Sequence, residues 1–123
     1  MKKIIALALV LLITFPAAPA HAHAQLTGAT PKANAIITKA PAQVTLTFDD
    51  ELIVLGTSNQ LQVTNSQRQR VDKNDALVFG NQLTVSLKKL VTGKYKIAYR
   101  VISSDGHPVS GSYSFTVKQP TKK

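Results

Sequence analysis

The chain has 123 residues, no cysteine and a formal net charge of +9, from 15 basic and 6 acidic residues. Its length suits a single domain, and the lack of cysteine excludes disulfide bonds, thiolate metal sites and cysteine nucleophiles. The basic residues are scattered along the sequence, with no dense run and no basic helix. We therefore interpret the charge as a solvated surface and expect no nucleic-acid partner.

The amino-terminal segment has the features of a secretory signal peptide. Two lysines precede an apolar run over residues 4–15, and A-H-A at 20–22 supplies the small-x-small pattern of a cleavage site. The run is shorter than the roughly 20 residues that a spanning helix needs. We expect residues 1–22 to be removed during export to the periplasm, leaving a chain that begins at His23. On pattern alone, cleavage two residues earlier or later stays open.

After residue 31 the sequence alternates between polar and apolar residues, which is typical of half-buried β-strands. Turn signals such as Gly80-Asn81 and Thr92-Gly93 separate the apolar runs. About seven short strands at this spacing predict an all-β fold, a β-sandwich. The aromatic residues at alternating positions are expected in its core. The candidate strands cover residues 43–48, 60–64, 76–79, 81–87, 94–102 and 112–117.

The last two predicted strands are joined by a polar segment, residues 103–111, which we expect to be a loop. Within it Asp105 and His107 can point into the same space, because Gly106 relaxes the backbone between them and Pro108 stiffens the backbone directly after His107. Such a pair can hold a metal ion. Taken alone, D-G-H suits a hydrogen-bonded turn with a solvated histidine equally well.

An amino-terminal His23 would add two nitrogen ligands, its α-amino group and its ring Nδ1. The α-amino group has a reference pKa of about 7.7–8.0, so copper(II) can displace its proton near neutral pH. With His107 and Asp105 the set becomes three nitrogens and one oxygen, which suits tetragonal copper(II). Zinc would prefer a tetrahedral arrangement. Copper(I) prefers sulfur ligands, and the only methionine is Met1.

Other polar residues are weaker candidates. The acidic cluster at residues 49–51 could add a ligand, although a solvated turn explains it as well. The serines at 103, 104, 110 and 112 have no catalytic partners, because His107 is the only internal histidine of the mature chain. The sequence therefore predicts no enzyme active site.

Two motifs resemble those of the bacterial periplasmic copper-resistance proteins of the CopC type, including their YobA-like relatives. His23-Ala24-Gln25-Leu26 followed by Pro31 is similar to the family's H-x-x-L-x-x-x-x-P opening. Residues 105–115, D-G-H-P-V-S-G-S-Y-S-F, are similar to its D-G-H-P-x-S-G-x-[YF]-x-F ending. The resemblance extends over the whole mature chain and favours cleavage immediately before His23.

The resemblance implies a single seven-stranded immunoglobulin-like or cupredoxin-like β-sandwich over residues 23–118, after a signal peptide at 1–22 and before a polar tail at 119–123. It implies one copper(II) ion per chain, bound by His23 through amine and ring and by Asp105 and His107. The expected role is copper resistance without catalysis, by a monomer. The partner would be an inner-membrane copper transporter (CopD-like) or another copper protein. The methionine-rich copper(I) site of some members has no counterpart here.

Two other functions fit the same sequence features. A histidine brace with a second imidazole also occurs in copper-dependent oxygenases, although those are typically larger and carry aromatic residues on a flat substrate face. A metal-free exported β-sandwich that acts as an interaction module would explain the fold without using the D-G-H segment as a site.

Overall fold

The computed structural model describes residues 24–121, and within this range the chain forms eight β-strands and no helix. Accordingly, no helix in that range could cross a membrane. The strands are β1 Leu26–Thr30, β2 Ile36–Ile37, β3 Gln43–Phe48, β4 Gln60–Thr64, β5 Leu77–Phe79, β6 Gln82–Ser86, β7 Gly93–Ile102 and β8 Pro108–Val117.

The strands form two four-stranded sheets, and the predicted all-β sandwich is confirmed. The first sheet has the order β1-β3-β6-β5, and the second has the order β2-β8-β7-β4. All pairs are antiparallel except β2 with β8, which is parallel. The predicted number of seven strands is one too low. The extra elements lie early in the chain, where β2 has only two residues and β1 lacks a clean alternation.

The core lies between the two sheets and follows the alternation seen in the sequence. Side chains of a strand point alternately to opposite faces, so every second residue can be buried. Phe48 and Phe115 are among the largest fully buried side chains. Phe48 meets Tyr99 edge-on at 5.6 Å between ring centroids, and Tyr95 stacks on Phe115 at 5.5 Å. The aromatic residues on the long strands therefore pack in or against the core, as predicted.

The β7–β8 hairpin is longer than the sequence indicated. Its register runs from Gly93 opposite Val117 to Ile102 opposite Pro108, so the connecting loop contains only residues 103–107. The predicted loop over 103–111 is wrong in its second half. Val109 and Tyr113 both pack partly buried against the core, and the strand alternation therefore continues through a stretch that is rich in serine and glycine.

Gly111 makes this hairpin possible because it lies directly opposite Tyr99. A Cβ atom at Gly111 would lie 2.4 Å from Cζ of the Tyr99 ring. We expect Gly111→Ala to lower the free energy of unfolding by about 2 kcal/mol, because an aromatic ring in a packed position has little room to move. Chemical denaturation measures this change.

The matched control is Gly28→Ala on β1. A Cβ atom there would lie 3.6 Å from Cβ of Thr47, an ordinary contact. We expect this variant to stay within about 0.5 kcal/mol of the wild type. Equal losses in the two variants would contradict the steric explanation for Gly111.

One buried carboxylate interrupts the apolar interior. Asp72 is 3% exposed and lies between β4 and the end of β6. Its Oδ2 accepts hydrogen bonds from the Val63 backbone N–H and the Arg70 Nε–H, both at 2.9 Å. Its Oδ1 accepts from the Asn74 backbone N–H at 2.8 Å. A buried charge with this many donors ties the connection after β4 to both sheets.

Candidate metal centre

The loop between β7 and β8 holds two of the predicted metal ligands in a closed turn. The Ser103 N–H donates to the His107 carbonyl, and the Gly106 N–H donates to the Ser103 carbonyl, both at 2.9 Å. Gly106 has φ of 85°, a left-handed conformation that residues with a side chain rarely adopt. Ser103 is fully buried and forms a β-bridge with Leu52. The base of the loop is therefore anchored in the core.

Asp105 and His107 lie together at the tip of this loop. The His107 Nδ1 is 3.0 Å from the Asp105 Oδ2. The His107 backbone N–H also donates to Oδ1 of the same carboxylate, at 3.2 Å. The His107 side chain is 66% exposed and that of Asp105 is 27% exposed. The expected proximity of these two side chains is thus observed, with the imidazole facing solvent.

The Ser103 hydroxyl fixes the orientation of the carboxylate by donating to the Asp105 Oδ1. This hydrogen bond is the main reason that the pKa of Asp105 lies well below its usual range, and the His107 N–H and imidazole lower the pKa further against the opposing effect of burial. Asp105 is therefore a carboxylate at any physiological pH, and it can supply an oxygen ligand or accept a hydrogen bond from a neighbour.

The first residues that the structure describes lie at the same end of the sandwich. The Gln25 N–H donates to the Asp49 Oδ1 at 2.7 Å, and the Asp49 N–H donates back to the Gln25 carbonyl at 2.9 Å. The next residue, Asp50, accepts a hydrogen bond from the Ser104 hydroxyl. Two consecutive aspartates thus connect the start of β1 to the Ser103–His107 loop.

In this arrangement the acidic cluster at residues 49–51 has a structural role and does not form a set of metal ligands. Asp49 and Asp50 both accept hydrogen bonds from neighbouring segments, which suits a structural turn. Between residues 24 and 121, no three histidine, cysteine or acidic side chains form a group that could hold a metal ion. Asp105 and His107 are therefore a pair, and the third predicted ligand, His23, lies outside the described residues.

Sequence reasoning considered Ser103 only as a nucleophile and missed its structural role. A serine two residues before an aspartate was the available signal, since short polar side chains often bond within such turns. We expect Ser103→Ala to raise the pKa of the Asp105 carboxyl toward its ordinary value and to lower copper(II) affinity about tenfold. NMR titration of the carboxyl carbons of the metal-free protein and a copper(II) competition titration measure the two effects.

Ser104→Ala is the matched control, because the Ser104 hydroxyl bonds Asp50 rather than Asp105. We expect it to leave both the Asp105 titration and the copper(II) affinity unchanged. A copper(II) affinity that falls equally in the two serine variants would mean that general loosening of the loop, and not the orientation of Asp105, matters.

Known proteins share this fold and sequence pattern. A family model described as the CopC domain matches residues 26–118. Copper resistance protein C of Xanthomonas campestris pv. juglandis is 35% identical over 108 residues, which cover 82% of this chain and 84% of that protein. The copper transport protein CutJ of Bacillus subtilis (strain 168) is 33% identical over 113 residues, which cover 89% of this chain but 20% of that protein.

A solved structure of CopC from Methylosinus trichosporium OB3b has a TM-score of 0.73 at 29% sequence identity, covering 82% of this chain and 99% of that chain. The relatives are named for copper resistance and copper transport, which supports a copper-binding role in copper resistance. The family model covers nearly all of the described residues and the Xanthomonas protein is matched over most of its length. The chain therefore belongs to the CopC family.

Proposed function

We propose that the protein binds one copper(II) ion in the periplasm and serves copper resistance by holding or delivering it, without catalysis of its own. The observation that carries the proposal is the Asp105–His107 pair, whose Nδ1 and Oδ2 atoms lie 3.0 Å apart at the end of the sandwich where the described chain begins. The proposed ligands are the amine and ring of His23, the imidazole of His107 and the carboxylate of Asp105.

Chain connectivity supports the contribution of His23. Gln25 is held against Asp49 by two hydrogen bonds, and Ala24 is 1% exposed, so the chain entering β1 is anchored. Two residues span at most about 7 Å. The α-amino group of a chain that starts at residue 23 would thus be within this reach of the end of the sandwich that carries the D-G-H loop. This reach requires cleavage of the signal peptide immediately before His23, because only then is its α-amino group a ligand.

The donor set favours copper(II) over the other candidate metals. Imidazole and amine nitrogens suit copper(II), which has the highest intrinsic affinity among the divalent ions for such sites. Copper(I) would need thioether or thiolate ligands, and Met1 is the only sulfur-containing residue. The contact between Asp105 and Nδ1 of His107 matches the general pattern in which a carboxylate orients an imidazole whose Nε2 binds the metal. Asp105 thus serves as an orienting group, as a direct ligand or as both.

The recipient of the copper is proposed to be a separate protein. The chain matches a fifth of the copper transport protein CutJ, so in that relative a similar domain is covalently joined to a larger transport protein. We infer that this chain, as a separate protein, supplies copper to a CopD-like inner-membrane copper transporter or to another periplasmic copper protein. Transfer would start from the monomer with one bound ion.

The test is a copper(II) titration followed by electron paramagnetic resonance. Protein that starts at His23 is compared with protein that carries one additional residue before it. We expect tight one-to-one binding with a nitrogen-rich tetragonal signal, lost on extension because the α-amino group becomes a peptide nitrogen. Equal binding by both forms would place the site away from the amino terminus, and binding of less than one equivalent by both would refute the copper(II) site.

A further inference from the structure

The outer face of the second sheet gathers positive charges that are separated in the sequence. Lys94, Lys96 and Arg100 occupy alternate positions of β7, and all three are exposed. The two-residue period of a strand places their side chains in one row on the outer face. No ion pair between residues 24 and 121 involves any of the three, since the pairs found there are Arg70 with Asp72 and His107 with Asp105.

The neighbours of this row are polar but uncharged. Arg100 lies between Gln60 of β4 and Ser110 of β8, and Lys96 lies between Thr64 and Ser114. On strands β8, β7 and β4 of this sheet, no outward-facing position holds an aspartate or a glutamate. Besides the three cations and Ala98, the exposed and half-buried residues at these positions are Gln60, Gln62, Thr64, Pro108, Ser110, Ser112, Ser114 and Thr116.

The acidic residues lie elsewhere, so the positive potential of this face is not cancelled locally. Asp49, Asp50 and Asp105 lie at the metal-binding end, where they bond to the loop and to the start of β1, and Glu51 directly follows Asp50. Asp72 is buried behind β4, and Asp75 accepts a hydrogen bond from the Ser86 backbone at the end of β6 in the first sheet. A surface of one charge sign attracts a partner of the opposite sign.

A small groove lies beside two of the cations. It is lined by Asn65, Ser66, Lys94, Tyr95, Lys96 and Ser114. The ammonium groups of Lys94 and Lys96 can donate hydrogen bonds to phosphate oxygens, whereas the Asn65 amide already donates to Gln69 and the Tyr95 hydroxyl to the Val91 carbonyl. The groove opens onto the same face as Arg100.

We propose that the outer face of the second sheet binds the headgroups of anionic phospholipids, so that the protein lies flat on a membrane surface. The three cations extend over about 20 Å of β7, from Lys94 to Arg100, and a row of this length suits the plane of a bilayer. The metal-binding end then faces sideways, near the headgroups, where a membrane transporter could receive copper. The binding itself needs no metal and is independent of the proposed copper function.

The test is sedimentation of metal-free protein with phospholipid vesicles in a chelating buffer. Protein purified as the cell exports it is mixed with vesicles of phosphatidylcholine alone, or of phosphatidylcholine with about one third phosphatidylglycerol. We expect binding only to the anionic vesicles, weakened more than tenfold when salt is raised from about 0.05 M to about 0.5 M. Binding that ignores lipid charge or salt, or no binding, would overturn the proposal.

Two triple variants that lose the same charge distinguish the contribution of this face to vesicle binding from that of the net charge. The first variant combines Lys94→Gln, Lys96→Gln and Arg100→Gln. We expect its partition coefficient to fall about a hundredfold, because each cation near the surface contributes about fivefold. The second variant combines Lys73→Gln, Lys88→Gln and Lys89→Gln, which remove the same charge from exposed positions outside the face. We expect its partition coefficient to change less than about threefold. Equal losses in both triple variants would overturn the assignment to this face. Thermal melting verifies that both variants are folded.

Discussion

Replacing His107 with alanine is expected to lower the affinity of the protein for copper(II) by more than about a hundredfold, since loss of an orienting partner alone typically costs 10–100-fold. His107 is the only imidazole among the described residues, and its ring is 66% exposed at the tip of an anchored loop. Removing it leaves the chelate of His23 without the second imidazole that closes the proposed site. Competition against a copper(II) chelator of known affinity measures the loss.

Asp105→Asn should produce a smaller effect that distinguishes two roles for the carboxylate. If Asp105 orients the imidazole through its 3.0 Å contact with Nδ1, the affinity should fall about 10–100-fold while the copper signal keeps its nitrogen ligands. If it binds the metal directly, the electron paramagnetic resonance parameters should change as well. The two variants together therefore test both the site and its geometry.

The control for both variants is Asp50→Asn. Asp50 lies at the same end of the sandwich and carries the same charge, but it bonds the Ser104 hydroxyl rather than His107. We expect its copper(II) affinity to stay within about threefold of the wild type, because charges that are in contact with solvent interact weakly. A loss as large as that of His107→Ala would indicate that the acidic end as a whole, and not the D-G-H pair, attracts copper.

The fold could be predicted from the sequence wherever a strand buries one face for several residues. Residues 43–48 and 60–64 match β3 and β4 residue for residue, because a polar–apolar period of two has no other regular interpretation. Strand β2 was missed since two residues cannot show a period. The start of β8 was placed too late because Gly111 and the serines around it hide an alternation that only the pairing with β7 reveals.

The proximity of Asp105 and His107 was predictable, but the contacts that support them were not. Asp105 and His107 are close in sequence, so local reasoning could bring them together. The hydrogen bonds from Gln25 to Asp49 and from Ser104 to Asp50 join residues 24 and 54 positions apart, and such contacts depend on the register of the sheets. The shared face of Lys94, Lys96 and Arg100, in contrast, follows from the alternation within one strand, and only the uncharged neighbours on β4 and β8 depend on the register.

Asp72→Asn is expected to lower the free energy of unfolding by about 3 kcal/mol, the largest stability loss that we predict for a single substitution. Both carboxylate oxygens accept hydrogen bonds, including one from the Val63 backbone at 2.9 Å. An amide at this position would turn its NH₂ group toward one set of donors. Arg70 is 41% exposed and can regain water, which keeps the loss at the lower end of the range for a broken buried pair.

The pH dependence of this loss should identify the charge as its cause. Burial alone would raise the pKa of Asp72, but the hydrogen bonds from Arg70, Val63 and Asn74 outweigh it and hold the pKa below its ordinary value of 3.8. A carboxylate with a lowered folded-state pKa stabilises the protein fully above that ordinary value, and its contribution disappears as the pH falls through the folded-state pKa. The difference between wild type and Asp72→Asn should therefore be constant near neutral pH and should shrink below about pH 4.

Chemical denaturation at a series of pH values measures this difference, with Asp75→Asn as the control. Asp75 also accepts a backbone hydrogen bond, from Ser86 at 2.8 Å, but it is exposed, so water can replace the lost acceptor. Its substitution should destabilise the protein far less than that of Asp72. If the loss for Asp72→Asn persisted unchanged into acid, the missing charge would not be responsible, because protonated aspartate and asparagine are both neutral. The NH₂ group that faces the hydrogen-bond donors would then explain the loss.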